Sequence, residues 1–550
     1  MHSLRKIKDS KSVFWMAGVL LAFGRSGSLK FYQGESISLP GDVEAMFLLA
    51  RTLIYTFVFV GIFAGTEAIL ENRTFRKIIF TEDGQKSGSW WSGYVALGLG
   101  WLPILLIKYP GALCWDTWQM IHQYKIGKVS EFQSVYYTVL LGKMLKTAEN
   151  AGHANWGLFA FCILNYLVLV AAMGCSIQVL RDMKITRIVR IFVILMYLMN
   201  PYITGYVGVL SKDVLYTPFM VFIFLCLIEM HLDFDSFVHS RSWLILLFIS
   251  VINAWLIRRN GSYIMIAAAV LLFVRCLIKK LSLRPVVVMA AACVVSVIVS
   301  SALSGHYHAA KGNIRETLSL PFQQTARYVK LYGDEVTDEE RQAIDAVLPY
   351  DELAERYDPR ISDPVKGAYK NDSSKLPTYF KVWFKQFLKH PLCYVSATWE
   401  QNYYLLVPEV DNIVLYQDTE WGYEPTKTVY MPDYNNYYPI FSRPAWLGVL
   451  QRWLVEELRL LHRLPVVRLS GNVSFWFYVL LYVTVILICH RTDMFLPLVF
   501  LYFTIAFVLL GPVIQGHPRY MFPVVYAMPV MLLFMIAGQV HGENKTPERR

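Results

Sequence analysis

One stretch of the chain places a carboxylate among aromatic residues, directly after a long apolar run. It reads Lys-Tyr-Pro-Gly-Ala-Leu-Cys-Trp-Asp-Thr-Trp-Gln over residues 108–119, and the acid is Asp116. Pro110 and Gly111 end the preceding helix and turn the chain sharply. A carboxylate at such a boundary can accept a proton from a hydroxyl group or orient a nucleophile. Asp116 and Gln119 share a face if a short helix follows, and an ordinary helix cap at Asp116 is the alternative.

Two pairs of charged residues open or separate other apolar runs. Lys212 and Asp213 begin one run, where they can hold a phosphate group or simply cap a helix. Arg258 and Arg259 are adjacent between two runs and are followed by Asn260. Arginine suits phosphate because its planar guanidinium donates two hydrogen bonds to one anion. An arginine pair that only reaches to the membrane interface is the competing interpretation.

Further polar candidates lie downstream of these pairs. Arg519 and Tyr520 stand in the short loop before the last apolar run, so Arg519 is another candidate phosphate ligand. Gln323, Gln324 and Arg327 have the spacing of one helical face. They either line a polar cleft or form hydrogen bonds that hold the fold.

Metal and disulfide motifs are weak. Asp233 and Asp235 form an Asp-x-Asp pattern, which binds metal in many nucleotide-sugar enzymes, but they fall in a predicted cytoplasmic loop. Asp116 has no paired acid beside it, so we predict no cofactor, and a divalent metal is not supported. Cys114 and Cys393 are the only cysteines on the predicted outer side, and whether they form a disulfide is left open.

The composition is that of a membrane protein. Of the 550 residues, 55% are hydrophobic and only 17% are charged, whereas a soluble protein carries roughly 25% charged residues. Apolar runs recur that are long enough to cross about 30 Å of hydrocarbon as helices. The net charge of +11 fits Lys and Arg in cytoplasmic loops. Nucleic-acid binding is not expected, since no basic stripe or recognition motif accompanies the charge.

The apolar runs predict about twelve membrane-spanning helices with both termini in the cytoplasm. The predicted spans are residues 13–24, 45–70, 90–107, 156–180, 191–207, 214–231, 243–257, 263–278, 286–303, 474–489, 494–514 and 520–540. The loops assigned to the cytoplasm are mostly basic, as the positive-inside rule requires. Residues 134–146 are predicted to form a helix at the outer interface. This topology places Asp116, Lys212, Arg258 and Arg519 on one side of the membrane, outside the cytoplasm.

These runs divide the chain into four parts. We expect residues 1–303 to form an N-terminal transmembrane core, with a first large external loop at residues 108–153. Residues 304–471 are much less hydrophobic than the preceding runs. The segment is long enough for a folded extracytoplasmic domain of mixed or helical structure. Residues 472–541 form C-terminal transmembrane helices, and residues 542–550 form a cytoplasmic tail.

Four pieces of sequence together resemble bacterial GT-C-like membrane glycosyltransferases, among them membrane proteins classed as a domain of unknown function. The pieces are Tyr-Pro-Gly at 109–111 with Asp116, Lys-Asp at 212–213, Arg-Asn-Gly at 259–261, and Leu-Ser-Leu-Pro-Phe-Gln-Gln with Ala-Arg within 318–327. The resemblance implies a GT-C-like fold of many spans, with an essential acid in the first external loop. It also implies a sugar donor attached to polyprenyl phosphate.

The same resemblance implies roles for the charged residues. Asp116 would be the general base toward the acceptor hydroxyl. The candidate ligands of the donor phosphate are Lys212, Arg258, Arg259 and Arg519. One departure stands out: a His-Pro pair is expected after the first loop, and this chain reads Phe-Gln-Ser-Val at 132–135. The activity or substrate of this protein can therefore differ from that of the proteins it resembles.

We therefore expect an all-helical, multi-pass protein of the cell membrane, in contact with membrane lipids. The predicted activity is an inverting transfer of a sugar from a polyprenyl-phosphate donor to a glycan or lipid acceptor of the cell envelope. One alternative is a transporter or flippase of a lipid-linked glycan, which predicts charges inside several spans, whereas here Arg51 is the main such charge. Another is a non-catalytic partner in envelope-glycan assembly. The substitution Asp116→Asn distinguishes an enzyme from a scaffold.

Overall fold

The computed structural model describes residues 2–34, 42–81, 89–410, 444–490, 494–511 and 514–544. Of these described residues, 81% are helical. In these ranges the named strands are a single parallel pair, Ala112–Leu113 and Val209–Leu210. The prediction of an all-α protein is thus confirmed. Residues 545–550 of the predicted tail lie outside the described residues.

Seven described helices are long and apolar enough to cross a membrane. They are Lys11–Tyr32, Met46–Glu71, Ala154–Asp182, Lys212–Leu232, Arg259–Lys279, Arg284–His306 and Pro518–Gly538. Four shorter apolar helices are Ser92–Ile107, Arg241–Ile257, Val473–Cys489 and Phe495–Leu510. These helices coincide with eleven of the twelve predicted spans and indicate a membrane-embedded protein. The number of crossings and the orientation of the termini remain predictions.

The remaining predicted span, residues 191–207, is not one continuous helix. The helix Arg187–Met199 ends before Pro201, because proline lacks an N–H group and disfavours helical backbone in the preceding residue. The Asn200 side chain then caps the short helix Pro201–Thr204 by accepting a hydrogen bond from the Tyr202 N–H at 2.9 Å. This correction matters for the site, since the chain reaches Lys212 through a turn and a strand.

The helix predicted at residues 134–146 is present and spans Val135–Asn150. Ser134 caps it by accepting a hydrogen bond from the Tyr137 N–H at 3.0 Å. Its buried side chains include Val135, Tyr137, Leu141 and Leu145. The helix packs against Ala154–Asp182 and Trp115–Lys125. Its apolar face is therefore covered by protein.

One compact unit comprises the described residues within 67–312, 444–504 and 518–544. Its central helix, Lys212–Leu232, is mostly buried and packs against Arg241–Ile257, Ala154–Asp182 and Phe522–Asn544. A helix that is apolar on all sides is expected in such a central position. The other helices of this unit include Arg73–Ile79, Ser92–Ile107, Trp115–Lys125, Val135–Asn150, Arg187–Met199, Phe234–His239, Arg259–Lys279, Arg284–His306, Ala445–His462, Pro465–Ser470 and Val473–Cys489.

The other compact unit comprises the described residues within 2–66, 313–410 and 505–517. The helix Ser319–Tyr332 packs against Pro391–Asn402, Tyr350–Arg356 and Asp363–Lys366. Its core includes Phe322, Ala326, Val329, Ile344, Leu353 and Tyr379. Further helices of this unit are His2–Tyr32, the first part of Asp42–Glu71, Asp338–Asp345 and Leu376–Lys389.

The compact units differ from the predicted boundaries of the 304–471 domain. Residues 313–412 cluster with the start of the chain, whereas residues 444–471 cluster with the other unit. The helix Ala445–His462 explains part of this difference, because its Gln451 side chain donates a hydrogen bond to the Ile107 carbonyl at 2.7 Å. The extracytoplasmic location of residues 304–471 remains a prediction.

Candidate functional site

A short parallel sheet joins the chain before Asp116 to the chain before Lys212. Ala112 pairs with Val209, and Leu113 pairs with Leu210. The Thr117 hydroxyl adds a hydrogen bond to the Leu210 carbonyl at 2.7 Å. The helices Trp115–Lys125 and Lys212–Leu232 thus begin side by side, immediately after the two strands.

Two glycines allow the close approach of these strands. Gly111 has φ +134° and Gly208 has φ +73°, a region of backbone conformation that other residues rarely adopt. A Cβ atom on Gly111 would overlap the Cys162 sulfur. The Pro110-Gly111 turn is therefore required both by conformation and by space, and it sets the start of the Asp116 helix.

Asp116 lies between two cations. Its Oδ2 atom is 3.3 Å from Lys212 Nζ and 3.7 Å from Arg519 Nη1. The side chain of Asp116 is 21% exposed, so solvent reaches it. Asp116 is consequently held by charge but remains accessible.

The neighbouring carboxylate, Asp213, is far more deeply buried, with 2% of its side chain exposed. Its Oδ1 atom is 3.1 Å from Arg258 Nη1, and its Oδ2 atom is 3.5 Å from Arg519 Nε. Arg519 thus contacts both carboxylates. We call Asp116, Lys212, Asp213, Arg258 and Arg519 the charged cluster.

Arg258 reaches the charged cluster because the chain leaves the helical conformation at this residue. Its φ of −137° and ψ of 128° separate the helices Arg241–Ile257 and Arg259–Lys279. Gly261 permits the tight reversal, since a Cβ atom there would overlap the Ala254 carbonyl. The guanidinium of Arg258 lies 5.7 Å from the centre of the Tyr216 ring and 5.4 Å from that of Tyr520. Such contacts with aromatic faces help to hold a cation in place.

Gln133 also belongs to the site and was not among the predicted residues. Lys212 Nζ donates a hydrogen bond to Gln133 Oε1 at 2.5 Å, and Gln133 Nε2 donates to Gln119 Oε1 at 3.4 Å. Gln133 is 3% exposed. The only signal in the sequence was its position where a His-Pro pair is expected. Gln119 therefore reaches the site through Gln133, one turn along the helix from Asp116.

The electrostatics of the charged cluster favour an anion. Burial raises the pKa of Asp116, but Lys212 and Arg519 outweigh that effect and lower this pKa to about 2. Asp116 is thus ionised at neutral pH. With Lys212, Arg258 and Arg519 positive, the two carboxylates leave the cluster one positive charge in excess.

Arg259 and Asn260 do not share these contacts. Arg259 is exposed, and no ion pair is formed by it within the described residues. Its guanidinium lies close to Gly312, and its carbonyl accepts a hydrogen bond from the Ser262 hydroxyl at 2.7 Å. Arg258 is therefore the member of the arginine pair that enters the charged cluster.

Gln323, Gln324 and Arg327 are buried within the other compact unit, on the helix Ser319–Tyr332. Gln323 Nε2 donates to the Asp358 carbonyl at 2.9 Å, and Gln324 Nε2 donates to the Tyr394 carbonyl at 3.3 Å. Arg327 pairs with Glu400. These contacts favour the interpretation that the three side chains hold the fold of that unit.

The described part of the chain contains neither a cluster of side chains that could hold a metal ion nor a disulfide bond. No group of three or more His, Cys, Asp or Glu side chains there is arranged to hold a metal ion. Asp233, from the Asp-x-Asp pattern, caps the helix Phe234–His239 by accepting a hydrogen bond from the Ser236 N–H. Cys114 and Cys393 are both buried free thiols.

Residues 128–549 match the model of a family of unknown function, DUF6020. The chain belongs to the DUF6020 family. The matched part of this DUF6020 protein contains Lys212, Asp213, Arg258 and Arg519, and it begins after Asp116. No curated protein and no solved structure matches the chain significantly.

The charged cluster combines two chemical capacities in one place. Lys212, Arg258 and Arg519 can donate hydrogen bonds to an anion with several oxygens, such as a phosphate. Asp116 offers a solvent-accessible carboxylate next to them. The three cations stand at the ends of apolar helices, which is where the head group of a membrane lipid would be placed.

Proposed function

We propose that this DUF6020 protein is a GT-C-like membrane glycosyltransferase. It would transfer a sugar from a polyprenyl-phosphate donor to an extracytoplasmic acceptor of the cell envelope. The observation that carries the proposal is the pairing of the accessible Asp116 carboxylate with Lys212 and Arg519, beside a third cation, Arg258, with all three cations at the ends of apolar helices. A soluble donor would not require cations at that position.

The cations would bind the phosphate of the donor. Arg258 and Arg519 each present a planar set of N–H donors that matches phosphate oxygens, and Lys212 adds a point charge. As the bond between the sugar and the phosphate breaks, negative charge grows on the departing phosphate oxygen. Fixed cations stabilise that charge most effectively when water is largely excluded. Arg519 is buried and Arg258 is largely shielded, with 18% of its side chain exposed, and this setting suits the role.

Asp116 would accept the proton of the acceptor hydroxyl. The hydroxyl oxygen attacks the anomeric carbon of the sugar, the bond from that carbon to the phosphate oxygen breaks, and its electron pair leaves with the polyprenyl phosphate. The hydroxyl proton passes to the Asp116 carboxylate. A positioned general base typically contributes a factor of about 10² to 10⁴ in rate.

The test is sugar transfer by purified protein in liposomes, with a radiolabelled polyprenyl-phosphate sugar pool and envelope extract as acceptor. Wild type should transfer label, and folded Asp116→Asn protein should not. A matched control is Glu149→Gln, which removes one negative charge from a partly exposed pair with Lys125 outside the charged cluster. Equal transfer by wild type and Asp116→Asn would remove Asp116 from the chemistry. Donor binding without transfer by wild type would favour the transporter or assembly-partner alternatives.

A further inference from the structure

The position of Asp116 conflicts with the binding of a phosphate by the same cations. Asp116 Oδ2 contacts both Lys212 Nζ and Arg519 Nη1. A single carboxylate oxygen thus lies between two cations, which is the position that a phosphate oxygen would take on binding to them. Both anions cannot occupy this position together.

Of the two carboxylates in the charged cluster, Asp116 is the one that an incoming anion can replace. Asp213 is almost fully buried, and its contact with Arg258 is the shortest of the four ion pairs, at 3.1 Å. Asp116 is more exposed, and its contacts of 3.3 Å and 3.7 Å are slightly longer than the corresponding contacts of Asp213, at 3.1 Å and 3.5 Å. Asp116 is therefore the more accessible and the less closely held of the two.

Lys212 does not depend on Asp116 for its position. Its Nζ atom donates to Gln133 Oε1, and Gln133 is itself bound to Gln119. Arg519 would similarly keep its ion pair with Asp213 if Asp116 moved away. Both cations would stay in place if Asp116 moved away.

We propose that Asp116 acts as an internal substitute for the phosphate of the ligand, and that a phosphate group displaces it from Lys212 and Arg519. The proposal rests on the proposed function in one respect, the assignment of these two cations to the donor phosphate. The displaced carboxylate would then face the acceptor without a bound cation. Because the cations also keep the pKa of Asp116 at about 2, their loss to the phosphate would make Asp116 a stronger base. The base would thus become active only when the donor is bound.

The test measures the binding of inorganic phosphate and of farnesyl phosphate to detergent-purified full-length protein, by titration calorimetry at low ionic strength. Asp116→Asn should bind both probes about tenfold more tightly than wild type, because it removes both the competitor and a repulsive charge. The control Glu149→Gln removes the same charge outside the charged cluster and should bind as wild type does. Equal or weaker binding of both probes by Asp116→Asn would overturn the proposal.

The two probes distinguish the sources of the phosphate. Tighter binding of both probes supports a site that recognises the phosphate group alone. Tighter binding of farnesyl phosphate alone supports the same displacement by a lipid-linked phosphate. Either result supports the displacement of Asp116, even if wild type shows no sugar transfer. The binding experiment therefore tests the displacement, and the transfer assay tests the proposed function.

A second variant keeps the proposal testable if Asp116→Asn does not fold. Lys212→Gln removes one of the two cations but leaves Gln133 and Arg519 in place. It should bind phosphate about tenfold more weakly than wild type. Unchanged binding by a folded Lys212→Gln protein would place the phosphate elsewhere and overturn the proposal.

Discussion

The charged cluster around Asp116 and the pair formed by Arg327 and Glu400 are both built from largely buried arginine and carboxylate groups, yet their charges balance differently. In the charged cluster, three cations face two carboxylates. In the second region, one arginine faces one carboxylate. Arg327 also donates a hydrogen bond to the Tyr357 hydroxyl at 3.0 Å. The first region has an unbalanced charge, whereas the second is electrically complete.

The pKa of Arg327 reflects that completeness. Burial lowers it, but Tyr357 and Glu400 outweigh burial, and the net shift is upward. Lys366 is likewise a buried cation with carboxylate partners: its Nζ atom is 2.6 Å from Glu316 Oε2 and 2.9 Å from Asp363 Oδ1. Buried charges that are fully paired within one fold serve its structure, since removing one partner leaves the other uncompensated. The charged cluster instead holds three cations and two carboxylates among the described residues, an arrangement that suits an anionic ligand.

The largest expected effect follows from removing the cation that contacts both carboxylates. Arg519→Gln should lower sugar transfer by about 10² to 10³-fold, which is typical when one donor to a developing negative charge is lost. The measurement is label transfer in liposomes. Arg468→Gln, an exposed arginine of the same compact unit, is the control for loss of charge. Transfer at the rate of that control would show that the cation in excess has no role in the reaction.

The second prediction concerns the complete pair. Arg327→Met should destabilise the protein by about 2–3 kcal/mol, because Glu400 is left partly buried without its cation. The binding of inorganic phosphate to the remaining folded protein should be unchanged. Thermal unfolding in detergent measures the first quantity, and calorimetry measures the second. The control is Arg341→Gln, whose pair with Asp351 is exposed; such pairs contribute little.

A loss of phosphate binding in folded Arg327→Met protein would contradict the contrast between the two regions. Unchanged stability would contradict the structural role of the pair. The two measurements therefore test the comparison from both sides.

The third prediction concerns Gln133, the acceptor of the hydrogen bond from Lys212. Gln133→Leu keeps a similar volume but removes that acceptor. Sugar transfer should fall about tenfold, equivalent to about 1.4 kcal/mol, because Lys212 loses its fixed direction. Gln133→Glu keeps the acceptor but adds a negative charge, so it should strengthen the hold on Lys212 while weakening the binding of phosphate. Wild-type transfer by Gln133→Leu would show that Lys212 is positioned without it.

The sequence was sufficient for the coarse architecture, because long apolar runs directly report membrane-embedded helices. It also singled out the polar residues at the ends of those runs, and the structure brings Asp116, Lys212, Asp213, Arg258 and Arg519 together. Hydropathy alone predicts a continuous span at residues 191–207, whereas Pro201 interrupts the helix there.

Other features of the site depend on contacts that are distant in sequence. Arg258 and Arg259 are adjacent, and only the local backbone decides which of them contacts Asp213. Gln133 lies 79 positions from Lys212, and its position where a His-Pro pair is expected does not reveal Lys212 as its partner. Gln323, Gln324 and Arg327 had the spacing of one helical face, but their partners could be identified only from the fold.

The smallest expected effect is the dependence of stability on pH that arises from Asp116. Its pKa is lowered from 3.8 to about 2 in the folded protein, so its ion pairs stabilise the fold above about pH 4 and are lost as the pH falls through 2. Since the side chain is partly exposed, we expect about 1 kcal/mol after allowance for screening by solvent. Thermal unfolding of wild type and Asp116→Asn across this range should show a difference in stability that disappears at the acid end.

The control is Asp235→Asn, a change in an exposed acid, which should follow wild type throughout. A constant difference between wild type and Asp116→Asn would mean that the cations do not hold Asp116 in the folded protein, and it would weaken the proposed competition with phosphate.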